Sequence, residues 1–171
     1  ALAMKIKINN VIKTLHKLKS PSGRFEEIIY KKKSSKIIID YAHTPDAIQN
    51  VLKLYTNKSF KPSLVFGCGG ERDKSKRKKM SIIANKYAKK VYLTDDNPRN
   101  ENANLIRKTL KKYCQKAKDI SNRRLAIETA ISEMDQKDIL IIAGKGHEKY
   151  QIIKNKHYLF DDFKVAKDFI K

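Results

Sequence analysis

The amino-acid sequence predicts an α/β fold, in which helices flank a mostly parallel sheet that starts with an antiparallel hairpin. Strand-like and helix-like segments alternate along most of the chain, as they do in parallel α/β sheets. The most apolar segments, residues 37–39 and 139–142, are continuous rather than alternating, as expected of strands covered on both faces. Two strand-like segments near the N-terminus, residues 25–30 and 36–41, are separated by a short polar turn and predict the hairpin.

The first predicted elements are a helix, this hairpin and a second, capped helix. Apolar residues recur at helical spacing within residues 2–19, and a Pro-Ser-Gly sequence then interrupts the pattern. After the hairpin, Thr44 followed by Pro45 predicts the N-cap and first turn of a helix over residues 46–55.

The remaining elements continue the alternation towards the C-terminus. The central strands and helices are predicted, in chain order, at residues 63–67, 76–89, 90–94, 103–113, 123–134 and 138–143. Two short strands and a final helix follow at residues 150–153, 157–160 and 163–170. A chain of 171 residues without repeats or low-complexity linkers has room for one domain of ordinary size.

The composition is typical of a soluble globular protein: 40% of the residues are hydrophobic and 33% are charged. No apolar run approaches the roughly 20 residues that a membrane helix needs, and no stretch resembles a signal peptide. We therefore expect a cytoplasmic protein with no membrane partner. Cys68 and Cys114 are far apart and lack metal-ligand spacing, so we expect two ordinary reduced thiols.

The strongest compositional feature is the net charge of +21, from 39 Lys and Arg against 18 Asp and Glu. Such an excess favours nucleic acids or phosphate groups as ligands. However, the basic residues are mostly lysines spread along the chain, and few aromatic residues accompany them to stack on bases. Nucleic-acid binding is therefore not expected, although a basic α/β module that binds RNA or phosphate remains the alternative.

Four polar or glycine-rich segments follow predicted strands, at residues 40–46, 67–73, 94–99 and 144–148. In an open parallel sheet, ligands bind in the crevice beyond the carboxyl ends of the strands. Turn chemistry alone accounts for one such segment, but not readily for four on one edge. The sequence therefore predicts a binding cleft formed by these segments.

The segment at residues 67–70 has three glycines in four positions. Glycines allow positive φ and close approach of a ligand to backbone N–H groups. The pattern is neither a Walker P-loop nor a dinucleotide fingerprint, so it does not by itself identify a nucleotide-binding enzyme. Arg72, directly after it, offers a planar fork for a carboxylate or a phosphate.

Residues 96–99, Asp-Asn-Pro-Arg, form a second candidate binding loop. Asn97 can both donate and accept hydrogen bonds, and Arg99 can bind a carboxylate through two parallel bonds. Glu148, which follows Gly144 in the last segment, suits an ammonium group. Two arginines and one glutamate in one cleft would suit a zwitterion with an additional carboxylate. Read alone, Asn-Pro is also a common turn, and Glu148 could be a surface residue.

A free-standing α/β enzyme that uses His43, His147 and the aspartates for acid–base chemistry is a third hypothesis. Nothing in the sequence pairs these residues with one another. We therefore rank this hypothesis below the other two.

The chain resembles the ATP-dependent Mur ligases. The motifs that carry the resemblance occur in the order and spacing of that family, at residues 23–26, 40–46, 67–77, 95–99 and 144–151. The Phe-Asp-Asp sequence before the last helix is also similar to the family's ending. The resemblance implies that residues 21–171 are the Rossmann-like C-terminal, amino-acid-binding domain of a larger ligase. It also implies that residues 1–20 are a remnant of the central ATP-binding domain, ending in its last helix.

Mur ligases activate a carboxylate with ATP as an acyl phosphate, which the amine of the incoming amino acid attacks. The match is closest to members that add meso-diaminopimelate to UDP-MurNAc-L-Ala-D-Glu in peptidoglycan synthesis. By motif position, the residues expected to bind diaminopimelate are Arg72, Asn97, Arg99, Gly144 and Glu148. Those expected to face ATP are Arg24, Asp40, His43 and Asp46, with Asp40 towards the ribose.

The Asp-Asn-Pro-Arg loop carries the implied specificity. Members of the family that add lysine lack its arginine, because lysine has no distal carboxylate for a cation to bind. A folylpolyglutamate-type relative would not be expected to carry this loop. The family's P-loop, magnesium-binding carboxylates and carbamylated lysine belong to the central domain. We therefore expect no catalytic residue and no metal site in this chain, and no ATP turnover by it alone.

Overall fold

The computed structural model describes residues 8–15 and 21–171. The helices are α1 Ile8–Leu15, α2 Pro45–Leu54, α3 Ser75–Tyr87, α4 Ala103–Tyr113, α5 Arg123–Ser132 and α6 Asp162–Phe169. The strands are β1 Glu26–Tyr30, β2 Ser35–Asp40, β3 Ser63–Phe66, β4 Val91–Leu93, β5 Lys118–Asp119, β6 Ile139–Ala143, β7 Tyr150–Ile153 and β8 Lys156–Leu159.

Six strands form one sheet in the order β1-β2-β6-β3-β4-β5. Strands β2, β6, β3, β4 and β5 are parallel, and β1 alone runs antiparallel, paired with β2 from Glu26↔Ile39 to Tyr30↔Ser35. The predicted fold class and N-terminal hairpin are therefore confirmed. Strands β7 and β8 form a separate antiparallel hairpin.

Both faces of the sheet are covered, which explains the continuous apolar strands. Ile38 packs with Leu64 and Phe66 under helices α2, α3 and α4. Its neighbours Ile37 and Ile39 point to the other face and pack with residues of α5 and α6. All three isoleucines are fully buried. Successive side chains of a strand alternate between faces, so a strand between two helical layers must be apolar throughout.

The helices begin where their caps predict. The Thr44 side chain accepts a hydrogen bond from Ala47 N at 3.3 Å, and Pro45 occupies the first turn of α2. Asn102 and Asn122 cap α4 and α5 in the same way. These caps fix the helices that follow the sheet's carboxyl edge.

Two differences from the sequence prediction concern short or terminal elements. Strand β5 was not predicted, because two residues carry no periodic pattern; it exists through its pairing with Tyr92 and Leu93 of β4. Of the helix expected within residues 2–19, the part at Ile8–Leu15 is helical, and the rest lies outside the described residues. Assignment of residues 1–20 to another domain stays a prediction. Among the described residues, no helix is long and apolar enough to cross a membrane.

Candidate functional site

A cleft of about 530 Å³ lies at the carboxyl ends of β2, β3, β4 and β6. All four segments predicted from the sequence line it. Their contributions include Tyr41 and His43, Gly67 and Arg72, Asn97 and Arg99, and Gly144 and Glu148. Strand β6 lies between β2 and β3 in the sheet, although it comes later in the chain. Open α/β sheets bind ligands at such breaks in the strand order.

The charges in the cleft are mixed. Its lining contains three cationic side chains, Arg72, Lys76 and Arg99, and three carboxylates, Asp73, Asp96 and Glu148. A site for phosphate or RNA would be expected to be mainly positive. This balance suits a small ligand that carries both ammonium and carboxylate groups, and the protein's overall charge of +21 does not extend into the cleft.

Arg99 is held at the cleft by its backbone. Its φ is +52°, a left-handed conformation that is uncommon for arginine. Arg99 N donates to Ile152 O at 3.0 Å, and Arg99 O accepts from Lys154 N at 2.8 Å, so the hairpin β7–β8 fixes this conformation. Such strain persists only where the surrounding structure enforces it, and it is concentrated at functional sites.

The guanidinium of Arg99 is anchored but not neutralised. Its Nη1 donates to Gly70 O at 2.9 Å and to Asn97 O at 3.3 Å, both uncharged acceptors. None of the ion pairs found among the described residues involves Arg99 or Arg72. The two arginines thus present uncompensated positive charge to a ligand.

Asn97 and Glu148 are joined through a residue that the sequence analysis missed, Lys145. Asn97 Nδ2 donates to Glu148 Oε2 at 2.9 Å. Lys145 Nζ donates to Asn97 Oδ1 at 2.9 Å and to Glu148 Oε2 at 3.1 Å. The sequence did carry a signal for it: a lysine between two glycines, close behind the most apolar strand and three residues before a glutamate.

The glycines of residues 67–70 lie where two loops of the cleft pack closely against each other. Among the glycines, positive φ occurs at Gly23, Gly144 and Gly146 and not within residues 67–70. The prediction that residues 67–70 adopt positive φ is therefore wrong. A Cβ at Gly70 would lie 1.9 Å from Pro98 O, and one at Gly67 would lie 2.3 Å from the backbone oxygen of Thr94. These glycines allow two loops of the cleft to pack against each other, and the approach of a ligand to their backbone stays a prediction.

Glu101, also missed from sequence, ties the same two loops together. Its Oε1 accepts a hydrogen bond from Glu71 N at 2.6 Å, and its Oε2 lies 3.0 Å from Arg77 Nη2. Arg77 is buried and also reaches Gly69 O at 3.3 Å. Burial alone would raise the pKa of Glu101, but the hydrogen bonds from Glu71 and Arg77 outweigh burial and lower the pKa.

The residues predicted to face ATP surround the end of β2. Asp40 is buried, and its carboxylate accepts hydrogen bonds from Phe25 N at 3.0 Å and Ala42 N at 2.8 Å. The guanidinium of Arg24 lies 5.4 Å from the ring centre of Tyr41. His43 lines the cleft, whereas Asp46 is exposed in the first turn of α2.

The two histidines of the third hypothesis both pack on Tyr41. The ring centres of His43 and His147 lie 4.5 and 5.0 Å from that of Tyr41. His43 Nδ1 bonds to the Tyr41 carbonyl at 2.8 Å. No ion pair found among the described residues joins either histidine to an aspartate. Tyr41 and the two imidazoles form a tilted aromatic cluster, with interplanar angles of 60° and 45°.

The two thiols are buried, and the described acidic residues form no cluster that could hold a metal ion. Cys68 and Cys114 are both free and buried. Cys68 Sγ lies 3.7 Å from Met80 Sδ, and burial raises the pKa of this thiol to about 12, which keeps it protonated. Among the described residues, no group of three or more His, Cys, Asp and Glu side chains is placed to hold a metal ion.

Comparison with known proteins agrees with this architecture. The UDP-N-acetylmuramoyl-L-alanyl-D-glutamate--2,6-diaminopimelate ligase of Buchnera aphidicola is 43% identical over 171 residues, which cover 97% of this chain and 34% of that protein. A solved structure of a ligase with the same name matches with a TM-score of 0.79 and 36% identity, over 99% of this chain and 36% of that one.

A more distant structural match shows the fold alone. The folylpolyglutamate synthase of Mycobacterium tuberculosis, solved with ADP and AMPPCP, has a TM-score of 0.61 and 18% identity over 81% of this chain. The chain spans about a third of the length of the relatives it matches, 34% of the Buchnera protein. The family described as "Mur ligase, glutamate ligase domain" matches residues 23–146, well over half of the chain. The chain therefore belongs to the Mur ligase family and carries its glutamate ligase domain.

Proposed function

We propose that this chain is the amino-acid-binding domain of an ATP-dependent ligase that adds meso-diaminopimelate to UDP-MurNAc-L-Ala-D-Glu. The reaction would proceed through an acyl phosphate, and it would serve peptidoglycan synthesis. The observation that carries the proposal is the pair of unneutralised arginines, Arg72 and Arg99, in one cleft with Glu148. Its strongest support outside the cleft is the name of the relatives, which are 2,6-diaminopimelate ligases.

The chemistry of diaminopimelate matches the cleft. The molecule carries two ammonium groups and two carboxylates, and the cleft lining has three charged groups of each sign. Arginine forks bind carboxylates through paired hydrogen bonds, and Glu148 supplies the complementary charge for an ammonium group. Asn97 and Gly144 complete the proposed binding set, at the ends of β4 and β6.

Arg99 is the proposed specificity residue. Lysine has the same spacing between its two amino groups as diaminopimelate but lacks the distal carboxylate. With lysine bound, the guanidinium would remain unpaired in a partly buried cleft, and unpaired groups of this kind are the usual source of discrimination.

We further propose that Arg24, Asp40, His43 and Asp46 lie on the ATP side of the cleft. The cluster around Tyr41 presents two imidazole rings and a guanidinium, which suits contact with a nucleotide. Asp40 uses both carboxylate oxygens to hold backbone N–H groups, yet a carboxylate has further lone pairs for a ribose hydroxyl. Among the described residues no group of three or more His, Cys, Asp and Glu side chains is placed to hold a metal ion, and we propose, as the resemblance implies, that the Mg²⁺-binding carboxylates belong to the central domain.

The direct test is ligation by the full-length protein that contains this chain. We expect amide formation and ADP release with ATP, Mg²⁺, UDP-MurNAc-L-Ala-D-Glu and meso-diaminopimelate, and no turnover by residues 1–171 alone. Turnover by the isolated chain, or no ligation by the full-length protein, would contradict the proposal. Salt-sensitive RNA binding by the chain, in place of ligation, would favour the phosphate- or RNA-binding alternative.

A further inference from the structure

Lys145 carries a charged side chain in a fully buried position. It follows β6 between Gly144 and Gly146, and its side chain has no exposed surface. Removing an ammonium group from water costs several kcal/mol, so a fully buried lysine is retained only where partners compensate it.

The partners of Lys145 form a closed ring of hydrogen bonds. Its Nζ binds Asn97 Oδ1 at 2.9 Å and Glu148 Oε2 at 3.1 Å, and Asn97 Nδ2 closes the ring onto the same Oε2 at 2.9 Å. The ammonium also lies 5.9 Å from the ring centre of Tyr150, within the range of a cation–π contact. A lysine supplies several donors from one atom, which this ring requires.

This ring fixes how Glu148 faces the cleft. Two donors occupy Oε2, whereas the side chain remains 21% exposed and lines the cleft. No hydrogen bond found among the described residues uses Oε1, so this oxygen is available to a ligand. Asn97 is fixed as well, since its Oδ1 accepts from both Lys145 Nζ and Ile152 N.

We propose that Lys145 is a positioning residue for the incoming amino acid. It holds Asn97 and Glu148 in the geometry in which Glu148 Oε1 receives an ammonium group of diaminopimelate. The inference rests on the proposed function but goes beyond it, because Lys145 touches the binding residues rather than the ligand. Its loss should therefore weaken amino-acid binding through Glu148 and leave nucleotide binding unchanged.

The test uses the full-length protein and steady-state kinetics for each substrate. We expect Lys145→Met to raise the KM for meso-diaminopimelate about 10- to 100-fold, because small displacements of positioning groups are costly. The KM for ATP should change less than about 3-fold. If Lys145→Met fails to fold, Lys145→Gln, which keeps a neutral donor, should show the same KM effect in smaller degree.

A double-mutant comparison separates positioning from stability. Within a Glu148→Gln background, Lys145→Met should change the KM for diaminopimelate less than about 3-fold, because its target is already altered. The matched control is Lys89→Met, which removes a lysine bound to Asp135 and Asp138 at the opposite edge of the sheet. We expect this variant to keep both KM values.

Failure of the proposed function and failure of the positioning role give different experimental results. If the unmodified protein does not ligate diaminopimelate, the proposed function is wrong. If it does, but Lys145→Met and Lys145→Gln leave the KM for diaminopimelate unchanged, or the effects of Lys145→Met and Glu148→Gln simply add, the positioning role of Lys145 is wrong.

Discussion

The buried ion pair between Arg123 and Asp162 is the contact whose loss we expect to destabilise the domain most. Arg123 Nε and Nη2 bind the two carboxylate oxygens of Asp162 at 2.8 and 2.7 Å, and neither side chain is exposed. Nη2 also donates to Ala143 O at 3.0 Å, so the pair joins α5, α6 and the end of β6 directly before the cleft.

The expected magnitude follows from this burial. Asp162→Asn keeps the size of the side chain but leaves the Arg123 guanidinium buried without a counter-charge, which costs about 3–5 kcal/mol of unfolding free energy. In this variant the guanidinium would keep only neutral acceptors such as Ala143 O, since its Nη1 has no hydrogen-bond partner among the described residues. In a domain of this size the loss corresponds to a fall in Tm of about 6–20 °C.

The assay is urea unfolding of the chain followed by circular dichroism. Asp168→Asn is the matched control, because it removes an exposed pair with Lys171 at 2.8 Å and should cost less than about 0.5 kcal/mol. A loss below about 1 kcal/mol for Asp162→Asn would refute the reasoning that the buried Arg123 charge depends on the Asp162 carboxylate for compensation.

Two further predictions concern the contacts between the cleft loops. The pKa of Glu101 is lowered in the folded protein, so its carboxylate should stabilise the fold at pH values above its ordinary pKa of 4.5. This stabilisation should be lost as the pH falls through the lowered pKa. Urea unfolding of the unmodified chain and Glu101→Gln should therefore differ at pH 7, and the difference should shrink as the pH falls below 4.5 through the lowered pKa; a constant difference would contradict this. Gly70→Ala places a Cβ 1.9 Å from Pro98 O and should cost about 1–3 kcal/mol by the same assay. Gly69→Ala, whose Cβ meets a side-chain atom, Arg99 Nη1, at 3.0 Å, should cost clearly less, and equal losses would show that the loops yield freely.

Local patterns were sufficient to predict most of the fold. Residues 37–39 form a central strand because three successive isoleucines require cover on both faces, and that requirement is visible in the sequence. Thr44 and Pro45 predicted the start of α2 because capping depends only on neighbouring residues. Strand β5 could not be found this way, since its two residues are ordered by β4 and by the ion pair between Arg107 and Asp119 at 2.6 Å.

The site was predicted as a set of segments but not as a network. The carboxyl ends of parallel strands converge, so residues such as Arg72 and Glu148 could be assigned to one cleft from their positions after strands. The contacts of Lys145 and Glu101 depend on residues 48 and 30 positions away, and no local pattern encodes such pairings. The glycines of residues 67–70 were recognised as special, but the backbone they approach belongs to a loop about 30 residues later in the chain.

The central claim, that Arg99 makes this cleft a diaminopimelate site, is tested most directly by calorimetric titration of the full-length protein. Meso-diaminopimelate and L-lysine are each titrated into the unmodified protein and into Arg99→Ala, which keeps a non-glycine residue at φ +52°. We predict that the unmodified protein binds diaminopimelate about 10- to 100-fold more tightly than lysine, the worth of a charged hydrogen-bonded pair. Arg99→Ala should remove that difference. Equal binding of both amino acids by the unmodified protein would contradict the account.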